Sequence, residues 1–272
     1  MPPKKRKSDN PISISRAKLE KLYAYYNHKE FVHPDPLEFL YAYPDFLERE
    51  LVGLIASSLA YGRVAQILKN VSYVLERMHH SPRSYLMASS REDLFSSLFG
   101  FRHRFTTGEE MAAMLLGAKN VIERYGSLYE CFMAGFNDNE DTVLPALSAL
   151  VGKLYETIPG EKNSLLPSPD RGSACKRLNL FLRWMVRKDR VDPGGWVGVP
   201  QSKLIIPLDT HMHKISLKLN MTKRKQAGIR TAIDITHAFR TIAPEDPVRY
   251  DFALTRLGIR KDADLELFLS QP

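Results

Sequence analysis

Cysteine is nearly absent from this chain. Two residues in 272, Cys131 and Cys175, cannot build a disulfide framework. They also fall short of the four thiolates of an all-cysteine iron–sulfur cluster. Such sparing use of cysteine suits a reducing, cytosol-like compartment. Long apolar runs are missing too. The best, residues 51–59, is interrupted by Ser57 and Ser58 and is far shorter than the ~18–20 residues a membrane helix needs. A basic cluster near the start, within residues 1–10, is not followed by an apolar segment, so no secretory leader is expected. Acids are scarce in one place. Residues 171–230 hold 14 Lys and Arg against Asp189, Asp192 and Asp209, a net of +11 in a chain whose total is +8, so the remainder carries −3. A basic region confined to one part of a slightly acidic protein is an electrostatic footprint for a polyanion, with a solvated basic surface as the plain alternative.

What remains is ordinary for a globular protein. The chain is 44% hydrophobic and 26% charged, enough for a real core in one large domain or two small ones. Helical spacing dominates. Residues 15–27 place Leu19, Leu22, Tyr23 and Tyr26 three and four apart. Asp35-Pro36 reads as a cap followed by proline at the first helical position. Residues 46–60 form an apolar helix expected at the centre of the core, and residues 63–78, 109–125 and 141–157 are amphipathic. Gly126 and Gly160 are placed as helix stops. Residues 158–171 read as a loop. Residues 173–187 predict a helix with Leu178, Phe181, Leu182 and Met185 on one side and Lys176, Asn179, Arg183 and Arg187 on the other. Residues 230–240 and 247–257 complete the helices. Residues 203–208 alone have strand character, too short to found a sheet. The expected fold is all-α: a basic tail over 1–11, then a single helical unit of two lobes over 12–272, with 45–157 mostly one lobe and 172–272 the basic region. The run Lys4-Lys5-Arg6-Lys7 reads as a disordered tail, or as a nuclear localisation signal in a eukaryote.

Two residues invite chemistry. Lys176 stands next to Arg177 and about a turn or two from Arg183, and neighbouring cations favour the free amine that a nucleophile requires. The same arrangement suits plain phosphate contact. Asp209 follows Pro207 and opens a helix. It serves either as a cap on orphan N–H groups or as a rigid carboxylate beside a developing positive charge.

Pro207-Leu208-Asp209-Thr210-His211-Met212-His213-Lys214-Ile215 resembles the V-D-T-H segment of helix-hairpin-helix DNA glycosylases. Leu51-Val52-Gly53-Leu54-Ile55-Ala56-Ser57-Ser58-Leu59-Ala60 is similar to their early core helix. Tyr250-Asp251-Phe252-Ala253-Leu254-Thr255-Arg256-Leu257-Gly258 resembles their late A-L-x-x-L-G helix. Lys176-Arg177-Leu178-Asn179-Leu180-Phe181-Leu182-Arg183-Trp184-Met185 resembles the lysine helix of the archaeal 8-oxoguanine DNA glycosylase branch, whose lysine precedes the aspartate by about thirty residues, and here by 33. The chain is also similar to an uncharacterised bacterial family beside that branch. The resemblance covers most of residues 45–260. It departs from the superfamily at three points. Gly194-Gly195 and Gly198 stand where an L-P-G-V-G-x-K-T-A hairpin belongs, Ala60-Tyr61-Gly62 replaces a glutamine, and the cluster cysteines are absent.

The resemblance implies a two-lobed glycosylase fold and base excision repair. A damaged nucleotide, 8-oxoguanine by inference, is flipped into a pocket between lobes. Lys176 attacks the sugar and forms a Schiff base that permits strand cleavage, while Asp209 assists. It implies substrate or DNA contacts at Tyr61, Arg63, Arg183, Trp184, Lys203, Thr210, His211 and Asp251. Lys214, Lys218 and Arg224 are further phosphate candidates. Core packing is the favoured reading for Tyr61, Trp184 and Trp196, surface charge for each lysine, and pairing with Arg256 or capping for Asp251. No cofactor or metal is expected. The partner implied is duplex DNA, met by a monomer away from membranes, in the cytoplasm at the nucleoid or in a nucleus. Two other readings stand beside this one. One is a non-catalytic DNA-binding protein of the same shape. The other is a metal-dependent hydrolase using Asp209, His211 and His213, or His79 and His80. It is disfavoured because i and i+2 side chains on a helix point about 200° apart.

Overall fold

Short polar side chains open most of the helices. In the computed structural model, which describes residues 12–156, 163–259 and 268, Ser15 accepts from the Lys18 amide at the start of α1 (Arg16–Tyr26). Asp35 caps a 3-10 helix over Pro36–Ala42, and Asp45 caps α2 (Phe46–Ser58). α3 (Val64–Arg77) follows. Ser81 opens α4 (Pro82–Ala88). Reciprocal capping boxes open α5 (Arg91–Ser97), with Ser90 and Asp93, and α6 (Gly108–Tyr125), with Thr107 and Glu110. α7 (Leu128–Ala134) and α8 (Leu144–Tyr155) complete the first stretch. The second holds α9 (Lys176–Val186), α10 (Thr210–Lys218), α11 (Ile229–Ile242) and α12 (Asp251–Ile259).

The fold is all-α, as the sequence predicts. β1 (Arg102–His103) and β2 (Thr106–Thr107) form a small antiparallel hairpin, with Arg102 opposite Thr107 and His103 opposite Thr106. Of the segment with strand character, 203–208, Lys203 ends a 3-10 helix, and 204–208 is buried and joins no sheet. It is fastened to α11 instead, where the Ile206 amide donates to Thr236 Oγ1 at 3.1 Å. The short helices α4, α5 and α7 were not among the expectations. At seven residues each they are too brief for a helical period to stand out. The expected basic tail and Gly160 lie outside the described residues.

α2 is the central helix, with Glu50 to Ser58 all buried. It packs closely on α9 because Gly53 offers no side chain. A Cβ there would lie 3.3 Å from the Phe181 ring and 3.4 Å from Met185 Sδ. One hydrophobic core runs through both stretches of the chain. Inside it lies a carboxylate. Glu50 accepts the Leu128 and Tyr129 amides at 2.8 and 3.0 Å and the Trp196 indole N–H at 3.2 Å. It thereby satisfies the first turn of α7 and holds the Trp196 loop down. Burial pushes the Glu50 carboxyl up to about 7, against the pull of those donors.

That shift has a sign. The unfolded carboxyl ionises near its ordinary value of 4.5 and the folded one near 7. Between these values the unfolded chain binds fewer protons, so this group lowers stability as pH rises, by on the order of 3 kcal/mol across the window. Glu50→Gln is expected to flatten the fall. Urea midpoints between pH 4.5 and 7.5 check this, and equal slopes in the two proteins would rule Glu50 out as the source.

Candidate active site

α9 starts abruptly. Cys175 takes a left-handed conformation (φ 46°), and its amide donates to Ser173 Oγ at 3.1 Å. The Asn179 amide group then donates to the Ala174 carbonyl at 3.0 Å. These contacts fix the first turn and therefore Lys176. The approach to α10 is fixed as firmly, by the buried run Leu204–Leu208 and by Pro207. Asp209 is the N-cap. Its Oδ1 accepts the Met212 amide at 2.8 Å, while Oδ2 lies 3.6 Å from Lys176 Nζ. The two readings of this aspartate are thus divided between its oxygens, one capping the helix and the other facing the lysine.

Lys176 and Asp209 line a cavity of about 920 Å³. Its wall brings together distant parts of the chain: Phe31 to Pro36, the α2–α3 junction from Ala60 to Val64, Arg104 of the hairpin, α9, the start of α10, and one face of α12. Tyr61, Arg63, Arg183, Thr210, His211 and Asp251 all line it with Lys176 and Asp209. Within it, Lys176 Nζ also donates to the Ala60 carbonyl at 3.4 Å.

Several sequence expectations need correcting. Trp184 is fully buried in the core and does not line the cavity; among the described residues its indole nitrogen has no partner. Lys203 lies away from the cavity and donates to the carbonyls of Asp138 and Glu140, the latter at 2.8 Å. Trp196 packs with Phe132 and Phe181 in the core, the arrangement favoured for it from the sequence. Asp251 pairs with Arg183 at 2.5 Å, not with Arg256, which pairs with Asp35.

Beyond Lys176, the polar side of α9 is buried as well. Asn179, Arg183 and Arg187 are 1%, 3% and 3% exposed. Arg183 bridges Asp192 and Asp251. Arg187 pairs with Asp189, Asp192 and Asp246. Both guanidinia are thus matched by interior carboxylates, although Arg183 also borders the cavity. Arg177 turns away as well, donating to the carbonyls of Ser58, at 2.9 Å, and Ser164. The carboxylates that draw Arg183 and Arg187 inward come from the loop after α9 and from the C-terminal region, so α9's own periodicity gives no sign of them.

The electrostatics of the wall follow from this burial. Asp251 is 3% exposed. Burial pushes its carboxyl up to about 6, with Arg183 pulling it down and Asp209 pushing it further up. For Arg183, burial works against the charge, but Asp192 and Asp251 outweigh it and raise its pKa. His211 faces the cavity, whereas the buried His213 ring bonds with the Arg224 carbonyl at 2.8 Å. Among the described residues no group of three or more His, Cys, Asp or Glu is placed to hold a metal.

The sequence reading missed His33, Asp35, Arg104, Phe252 and Arg256 as wall residues. Asp35 is the cap its sequence position predicts, accepting the Leu37 amide at 3.0 Å. Its pairing with Arg256, 221 residues away, left no local trace.

Residues 35–260 match the family described as "Protein of unknown function (DUF2400)". The chain belongs to that family. The matched span takes in the whole cavity wall apart from Phe31, His33 and Pro34. No curated protein and no solved structure matches the chain. Among the described residues of this family member, no helix is long and apolar enough to cross a membrane.

Proposed function

We propose that this protein excises a damaged base from duplex DNA, as a glycosylase with lyase activity that uses Lys176 as its nucleophile. The observation that carries the reading is the 3.6 Å approach of Lys176 Nζ to Asp209 Oδ2 inside a cavity large enough for an extruded nucleotide. The resemblance of both segments to helix-hairpin-helix glycosylases supports it and points to 8-oxoguanine as the base. Duplex DNA is then the partner, met by a monomer at the nucleoid or in a nucleus.

Asp209 takes a proton from the Lys176 ammonium. The freed lone pair forms a bond to the sugar C1′, and the C1′–N9 bond breaks with its electron pair leaving on the base, which is then protonated. The C1′–O4′ bond opens, O4′ gains a proton, and an iminium remains. Loss of a C2′ proton expels the 3′ phosphate. The carboxylate stays near the positive charge throughout, where a fixed charge has most effect.

Borohydride tests the reading by reducing the iminium to a stable amine. Purified protein with a labelled 8-oxoguanine duplex is expected to give a covalent adduct that Lys176→Gln loses completely. An adduct of equal yield in the variant would mean adventitious amine chemistry. No adduct, with DNA still bound, would leave a non-catalytic DNA-binding protein.

A further inference from the structure

The hairpin at the cavity mouth carries a solvent-facing ring on a rigid mount. Its two-residue turn is Arg104 and Phe105, and Phe105 is 61% exposed. Beneath the turn everything is fastened. His103 is fully buried; its Nδ1 meets Asn70 Nδ2 at 2.8 Å and its Nε2 the Tyr61 carbonyl at 2.9 Å. The Tyr61 hydroxyl donates to the His103 carbonyl at 2.8 Å and lies 2.7 Å from Thr106 Oγ1. The Phe105 ring stacks on the Tyr61 ring, with centroids 5.0 Å apart and planes 28° from parallel.

Tyr61 is itself part of the wall of the cavity that holds Lys176 and Asp209, so the exposed ring is stacked against that wall. Arg104 sits at φ 56°, a conformation that costs a non-glycine residue roughly 1 kcal/mol or more, and its side chain turns into the cavity wall. Gly62 gives it passage: a Cβ there would lie 2.9 Å from Arg104 Cδ. Arg63 and Arg104 are exposed and line the cavity, and Arg102 is exposed on the same hairpin. A lone exposed aromatic is commonplace. An aromatic held on a turn fastened by hydrogen bonds, with exposed cations on the same hairpin and on the adjoining cavity wall, matches what an unpaired nucleobase requires, namely a stacking face with charge for the flanking phosphates.

We propose that Phe105 enters the base stack of duplex DNA beside the extruded nucleotide and stacks on the base left without a partner, while Arg63, Arg102 and Arg104 hold the adjoining phosphates. The inference rests on the DNA reading above but not on the lysine chemistry. Tyr61 then has a mounting role, with its ring covered by Phe105 and its hydroxyl fully engaged.

The test needs no turnover. A duplex carrying a tetrahydrofuran abasic analogue opposite 2-aminopurine is titrated with the full chain. Entry of Phe105 separates the 2-aminopurine from its neighbours, so its fluorescence is expected to rise on binding. Phe105→Ala is expected to lose the rise and to bind this duplex about tenfold more weakly, the effect of one lost base–aromatic stack. Affinity for an undamaged duplex should change less than about twofold, since phosphate contacts remain. Phe105→Trp should keep both signals. An undiminished rise in Phe105→Ala overturns the assignment and leaves the DNA reading standing. Failure of the unaltered protein to bind any duplex at low salt overturns both.

Discussion

Arg187→Ala is expected to lower the unfolding free energy by about 3–5 kcal/mol, the usual cost of breaking a buried ion pair from one side. The reason lies in what is left behind. Arg187 is 3% exposed and answers Asp189 at 3.0 Å, Asp246 at 2.9 Å, and Asp192. Asp192 is fully buried. Without the guanidinium, Arg183 alone faces the Asp192 charge, and Asp246 loses its partner. Tyr23 is drawn in as well, since its hydroxyl donates to Asp189 at 2.9 Å, so α1 should loosen with the cluster. Lys214→Ala on the exposed side of α10 is the control and should stay within about 0.5 kcal/mol. Chemical denaturation of the three proteins measures the difference. A loss below about 1 kcal/mol for Arg187→Ala would mean that the cluster relaxes or hydrates, and that the buried network does not hold α9 in place.

The second large effect separates the two oxygens of Asp209. Asparagine caps a helix about as well as aspartate, so Asp209→Asn should unfold within about 0.5 kcal/mol of the original. It carries no charge toward Lys176, however, and trapped adduct should form at least about a hundredfold more slowly, the size of effect seen when one fixed electrostatic group is removed. Asp209→Ala should lose the adduct equally and about 1 kcal/mol of stability besides, because the Met212 amide loses its acceptor. If the asparagine variant forms adduct at the original rate, Asp209 is only a cap, and the nucleophile is prepared by another group. Asp251 is then the next candidate, being the most deeply buried acid in the described wall.

The basic stretch shows why charge read along a chain differs from charge presented to a partner. Residues 171–230 carry a net of +11, but Arg183 and Arg187 spend their charge on interior carboxylates, two of them, Asp246 and Asp251, from beyond the stretch. Arg63 and Arg104, which are exposed and line the cavity, come from a part of the sequence whose overall charge gave no signal.

By itself the sequence determined the helical class and the position of the principal helices. It did so because periodic burial and capping are local: Leu19 and Leu22, the proline after Asp35, and Gly126 after α6 act within a turn or two of where they stand. It also picked out Lys176 and Asp209, since residue type and the rigid proline approach are readable in place. Only the tertiary structure decided that those two meet at 3.6 Å, that Trp184 is core, and that Arg183 is locked to Asp251. It also placed the Arg104–Phe105 turn over Tyr61. Each of these is a pairing across tens or hundreds of residues, set by how α2, α9 and α12 pack. A local pattern can say that a side chain is charged or aromatic, but which group it meets depends on the path of the whole chain.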